Sequence, residues 1–214
     1  MQPSQGRDRS KLERAEVARA AVRALAEGRA ADLADAVERG IAETGADPRV
    51  RRPSRSELRA HAQAHEESTV GREGRRRRIA AVLDESLLVL AILEETVLAH
   101  DPEGCERRPP AVYGRAARPE LDLDPIVHVR VETSLSAATL AQSICDHGVA
   151  DPTCGSLETR YGRLDEIRFE GAEAEFRIAR VPPRMAVDPD RDLVRGTSID
   201  HADYETLAAR ARGV

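Results

Sequence analysis

The chain has 214 residues, with 33 Lys and Arg against 38 Asp and Glu for a net charge of -5, and it contains 2 % aromatic residues and no Trp. That length holds one large domain or two small ones, with a core built from Leu, Val, Ile and Ala. The three cysteines form no dense disulfide framework, and no apolar run approaches the roughly 20 residues of a membrane span. Those features argue against a disulfide-stapled secreted scaffold or a membrane protein and point to the cytoplasm, as does the lack of an apolar signal segment near Met1.

Residues 1–9 are polar and read as a disordered tail. From Ser10 to about Thr44 the pattern predicts two Ala-rich helices. Leu12, Val17, Val22 and Leu25 mark the first; Leu33, Val37 and Ile41 mark the second. Gly28 breaks them and Gly45 stops the second. This pair carries few large apolar residues, so a homodimer surface is one expectation for it. Asp47 to Pro53 is a basic linker. Ser54 and Glu57 then have the spacing of a capping box, which starts a helix from Arg55 to about Glu67. Ser68 to Gly74 reads as a turn.

The most apolar stretch follows. Ile79, Val82, Leu83, Leu87, Leu90, Leu93 and Val97 recur at helical spacing, and Leu88 and Ile92 lie on the opposite side. The expectation is a central helix over 72–99, covered on both sides. Residues 101–120 are proline-rich and read as a connector. Beyond it Ile126 to Thr133 alternates, with Val127, Val129 and Val131 facing one way and His128, Arg130 and Glu132 the other. Ser136 is the expected N-cap of a helix ending near Gly148, with Leu135 and Leu140 as its hydrophobic staple. Residues 149–158 read as a loop. Ile167 and Phe169, then Ala174, Phe176 and Ile178, predict a hairpin turning at Gly171. Residues 182–214 form an irregular acidic tail with a short terminal helix. The expected fold is therefore α+β: a helical region, 10–100, around one long central helix, then a small β-α-β-β unit, 121–181.

The strongest chemical asymmetry is charge. Residues 49–78 hold ten arginines and four glutamates, a net +6, which leaves -11 on the remainder of the chain. Arg51, Arg52, Arg55, Arg59, Arg75, Arg76, Arg77 and Arg78 are the candidate anion-binding residues. Guanidinium groups match phosphate and carboxylate in bidentate geometry, so the expected partner is nucleic acid or an acidic protein. Four consecutive arginines point around a helix, however, and no aromatics interleave with them for base stacking.

An alternative is a zinc-type enzyme or metal-stabilised module. His61 and His65 are four apart on a predicted helix and share a face, though Ala62 stands where H-E-x-x-H needs Glu. Cys145, His147 and Cys154 are soft ligands within ten residues, with Cys105 as a possible fourth, but no C-x2-C knuckle is present. Gly155-Ser156 followed by Asp165 and Glu166 resembles a magnesium-holding arrangement only superficially, because adjacent strand residues point to opposite faces. No Walker A, G-x-G-x-x-G or G-x-S-x-G motif occurs. The sequence thus predicts a regulatory or interaction protein with no cofactor, rather than an enzyme.

Overall fold

The computed structural model describes residues 4–47, 52–101, 103, 108–117 and 126–212. It is α+β, with five helices and one mixed six-stranded sheet among these residues. Two compact units divide the chain, Met1–Arg75 and Arg76–Val214. The expected helical region 10–100 therefore contributes to both.

The first unit contains α1 (Ser4–Ala26), α2 (Leu33–Thr44) and the beginning of α3 (Arg55–His100). Helix α1 begins at Ser4, inside the stretch read as a tail, and residues 1–3 lie outside the described residues. Asp32 caps α2 by accepting the Asp35 amide at 2.8 Å, and Gly45 ends it in the left-handed region. The Ser54–Glu57 capping box forms as expected: Glu57 Oε2 accepts the Ser54 amide at 2.8 Å and Ser54 Oγ accepts the Glu57 amide at 3.3 Å. Those bonds hold the Glu57 carboxyl below its ordinary pKa, the backbone amide of Ser54 contributing most. The core of this unit is small: Val17, Ala18, Ala21, Ala36, Val37 and Leu58. Small side chains let α1 and α2 approach closely. A Cβ on Gly40 would stand 2.7 Å from the Val17 carbonyl oxygen, so only glycine fits there.

Helix α3 is interrupted at one residue, Gly71, whose φ of 76° is costly for any side chain with a Cβ. The break is this single position rather than a turn across 68–74.

In the second unit the remainder of α3 packs on the sheet. Strands are β1 (Ala111–Tyr113), β2 (Ile126–Glu132), β3 (Thr153–Thr159), β4 (Gly162–Glu170), β5 (Glu175–Val181) and β6 (His201–Asp203). Their order is β3-β4-β5-β2-β1-β6, with β2 and β5 parallel and every other pair antiparallel. Helix α4 (Ala137–Asp146) follows β2, and α5 (Tyr204–Ala211) closes the described chain. The expected β-α-β-β order acquires an additional strand, because residues 153–159 pair with β4 instead of forming a loop. Two three-residue strands, β1 and β6, extend the other edge.

One sheet face, bearing Val127, Val129, Ile167, Phe176 and Ile178, shares a core with Val82, Leu90, Leu93, Ile144 and Leu207. Ser136 caps α4 through the Thr139 amide at 3.1 Å. Phe169 and Phe176, opposite each other across β4 and β5, stack with centroids 5.0 Å apart. Glu85 of α3 accepts the amides of Ala172 and Glu173 at 2.6 and 3.2 Å, fixing the β4–β5 turn from outside the sheet. The opposite face is covered by the irregular segment 182–200: Leu164, Ala179 and Val181 pack with Leu193, Met185 and Val187. Leu88, expected to be covered, is 51 % exposed, while Ile92 is buried.

Candidate anion-binding site

Arg51 lies outside the described residues, as do Arg49 and Cys105. In the first unit Arg52 pairs with Glu38 of α2 at 2.5 Å. Arg55 and Arg59 are exposed and stand one turn apart on α3, flanking the buried Leu58, and neither makes a hydrogen bond or ion pair among the described residues. Arg75 is not part of an open surface. It is largely covered and faces Glu66 at 3.4 Å. In the second unit Arg76 and Arg77 are exposed and Arg78 is half-buried, next to buried Ile79. Four consecutive arginines thus do point around the helix. The units differ in charge: Met1–Arg75 has fifteen basic and thirteen acidic side chains, Arg76–Val214 eighteen and twenty-five.

His61 and His65 lie half-buried on the inner side of α3, one turn apart. They line a cleft of about 500 Å³ together with Arg19, Arg23 and the buried Val22 of α1, Thr44 of α2, and the exposed Ala64 and Ser68 of α3. Glu16 is the one carboxylate in the lining. Arg23 is held by Glu43 at 2.7 Å, and the Thr44 hydroxyl donates to the Gly40 carbonyl at 2.7 Å. The rings of His61 and His65 and the guanidinium of Arg19 make no hydrogen bond or ion pair among the described residues. Arg19 and Arg23 escaped the sequence reading. Their signal is an i, i+4 spacing that matches the histidine pair.

No family model, curated protein or solved structure matches this chain.

The metal candidates are not gathered. Among the described residues no group of three or more His, Cys, Asp or Glu side chains is placed to hold a metal ion. Cys145 sits near the C-terminal end of α4 and Cys154 on β3; both are exposed thiols. Cys145 donates weakly to Asp151 at 3.6 Å, and its pKa is raised, chiefly by desolvation and then by this carboxylate. His147 Nδ1 lies 2.8 Å from the Ser143 carbonyl and Nε2 4.0 Å from Glu95. Asp165 and Glu166 do point apart. Asp165 is exposed and faces Arg180, whereas Glu166 is buried and pairs with Arg168 at 2.6 Å.

The covered side of the sheet carries a second polar cluster. Strand register places Arg168, Arg177, His128, Tyr113 and His201 in one row across β4, β5, β2, β1 and β6. Its charges are already matched. Arg177 makes a bidentate pair with Glu175 at 2.7 and 3.1 Å, and His201 faces Asp190 at 3.5 Å. Arg130, on the β2 face opposite Val127, Val129 and Val131, is 8 % exposed. Its guanidinium lies 3.9 Å from the Tyr113 ring centre and donates to the Arg191 carbonyl at 2.5 Å. It fastens the 182–200 segment to the sheet. Burial pushes the Tyr113 hydroxyl pKa up, and Arg130 opposes that shift. Burial likewise lowers the His128 pKa; Arg177 adds to the effect, and Glu166, Asp192 and Glu175 oppose it.

Proposed function

We propose that the protein is a non-enzymatic interaction module whose helical unit docks an anionic macromolecule, with the phosphate backbone of nucleic acid as the partner that guanidinium chemistry fits. The observation that carries this reading is the pair Arg55 and Arg59. They are unmatched, exposed and one turn apart, in a unit with a small positive excess on an otherwise acidic chain. Arg76 and Arg77 are further exposed cations nearby in sequence. Residues 1–75 contain no Phe, Tyr or Trp, which favours backbone contact over base stacking and hence binding without sequence preference. On this reading no residue is assigned to catalysis.

The test is fluorescence anisotropy of labelled duplex and single-stranded nucleic acid at several salt concentrations. The reading expects binding at low salt that weakens linearly on a log–log plot as counterions are no longer released so favourably. It expects Arg55→Glu/Arg59→Glu to weaken that binding and flatten the slope. Absence of binding at low salt would sink the nucleic-acid version.

A further inference from the structure

We propose that the cleft lined by Arg19, Arg23, His61 and His65 binds a phosphate group. Two helices each present an i, i+4 pair of nitrogen donors into the same space: Arg19 and Arg23 from α1, His61 and His65 from α3. The donors differ in shape, but all can reach an oxygen-rich anion. A phosphate group offers three or four oxygens to such a set. Arg23 already pairs with Glu43, and a carboxylate, with two oxygens, would leave one of the three remaining groups, Arg19, His61 and His65, unused. The volume, about 500 Å³, falls within the range of small-molecule pockets and leaves room for an organic group attached to the phosphate. The buried Val22 supplies an apolar floor for it.

A metal ion is the competing occupant of a paired-histidine site. Here the same lining contains the Arg19 guanidinium, which has no internal partner and repels a cation, with the charge of Arg23 matched by Glu43 and one carboxylate, Glu16, in the lining. The three groups without internal partners, Arg19, His61 and His65, are the ones a ligand would satisfy. Arg55 and Arg59 are absent from the lining, so this site is separate from the surface proposed above and stands or falls independently of it.

The experiment titrates the full chain with inorganic phosphate and with inorganic pyrophosphate, at ionic strength held constant with sodium chloride. Calorimetry gives the affinity, and the imidazole Cε1–H resonances of His61 and His65 locate the ligand. The expected result is saturable binding of at least one of the two anions, with both resonances shifted. Arg19→Gln and the double variant His61→Gln/His65→Gln should each weaken it about tenfold or more, whereas Arg55→Glu/Arg59→Glu should leave it unchanged. No saturable binding of either anion overturns the proposal, and so does undiminished affinity in both cleft variants. If those variants fail to fold, the wild-type resonances decide: imidazole signals unmoved at saturation overturn it. Stoichiometric zinc uptake that depends on His61 and His65, without phosphate binding, would overturn it in favour of a metal site.

Discussion

Arg130 and Arg19 show how differently the two units treat a cation. In the sheet unit Arg130 is buried, stacked on Tyr113 and bonded to the backbone of the 182–200 segment. Arg168, Arg177 and the buried Glu166 on the same face are likewise paired. In the helical unit Arg19, Arg55, Arg59, His61 and His65 have no such partners among the described residues. The physical reason is the size of the two cores. A sheet covered on both faces draws polar side chains into a low-dielectric interior, where an unmatched group is heavily penalised. Three Ala-rich helices bury little, and their polar groups stay in reach of water. Among the described residues, the buried and matched cation Arg130 thus lies in the sheet unit, whereas Arg19, Arg55 and Arg59, which have no internal partner, lie in the helical unit.

The largest effect that would sharpen this contrast comes from the sheet core. Phe176 is fully buried and stacks on Phe169, so Phe176→Ala should destabilise the sheet unit by about 3–5 kcal/mol. All three tyrosines, Tyr113, Tyr161 and Tyr204, belong to that unit, so their fluorescence during urea unfolding reads it directly. A shift smaller than about 1 kcal/mol would mean the aromatic pair is not a core element. Next is the helical unit. Gly40→Ala places a Cβ against the Val17 carbonyl, and the helices must part, for about 1–3 kcal/mol. Far-ultraviolet circular dichroism during thermal unfolding should show an earlier loss of helix. A variant as stable as the parent would contradict the close α1–α2 approach.

Glu85→Ala removes the carboxylate that accepts the Ala172 and Glu173 amides, for about 1 kcal/mol. Hydrogen exchange at those two amides should quicken while exchange in α3 is unchanged. The smallest effect is a pH slope. Because the folded pKa of His128 is depressed below 6.5, the unfolded chain takes up the proton first. Stability from this group is intact above that value, falls as pH drops through it, and levels off below the folded pKa. His128→Gln should abolish that contribution, so an identical slope in the variant would place the titrating group elsewhere.

Local chemistry was the most legible part of the sequence. The Ser54–Glu57 box, the Ser136 cap and the alternation of β2, β4 and β5 depend on neighbours a few residues away, and all are present. Strand β3 was hidden because TCGSLET is an edge strand with little apolar alternation; Leu157 is its one large apolar side chain. Strands β1 and β6 are too short for a period to register. The burial of Arg130 had no local signal, because its cover lies 61 residues further along the chain. The same distance problem concealed the cleft. Each i, i+4 pair is visible on its own helix, but nothing in the spacing between α1 and α3 says the pairs converge. The arginine-rich stretch was legible as composition and misleading as geometry, since Arg52 and Arg75 already face Glu38 and Glu66.

The most direct test of the division between structural and available charge is anisotropy of duplex nucleic acid, measured across a salt series for the wild type, Arg55→Glu/Arg59→Glu and Arg168→Gln/Arg177→Gln. The account predicts salt-sensitive binding that is weakened, with a flatter salt slope, in the first variant and unchanged in the second. Binding that survives loss of Arg55 and Arg59 but disappears with Arg168 and Arg177 would contradict it.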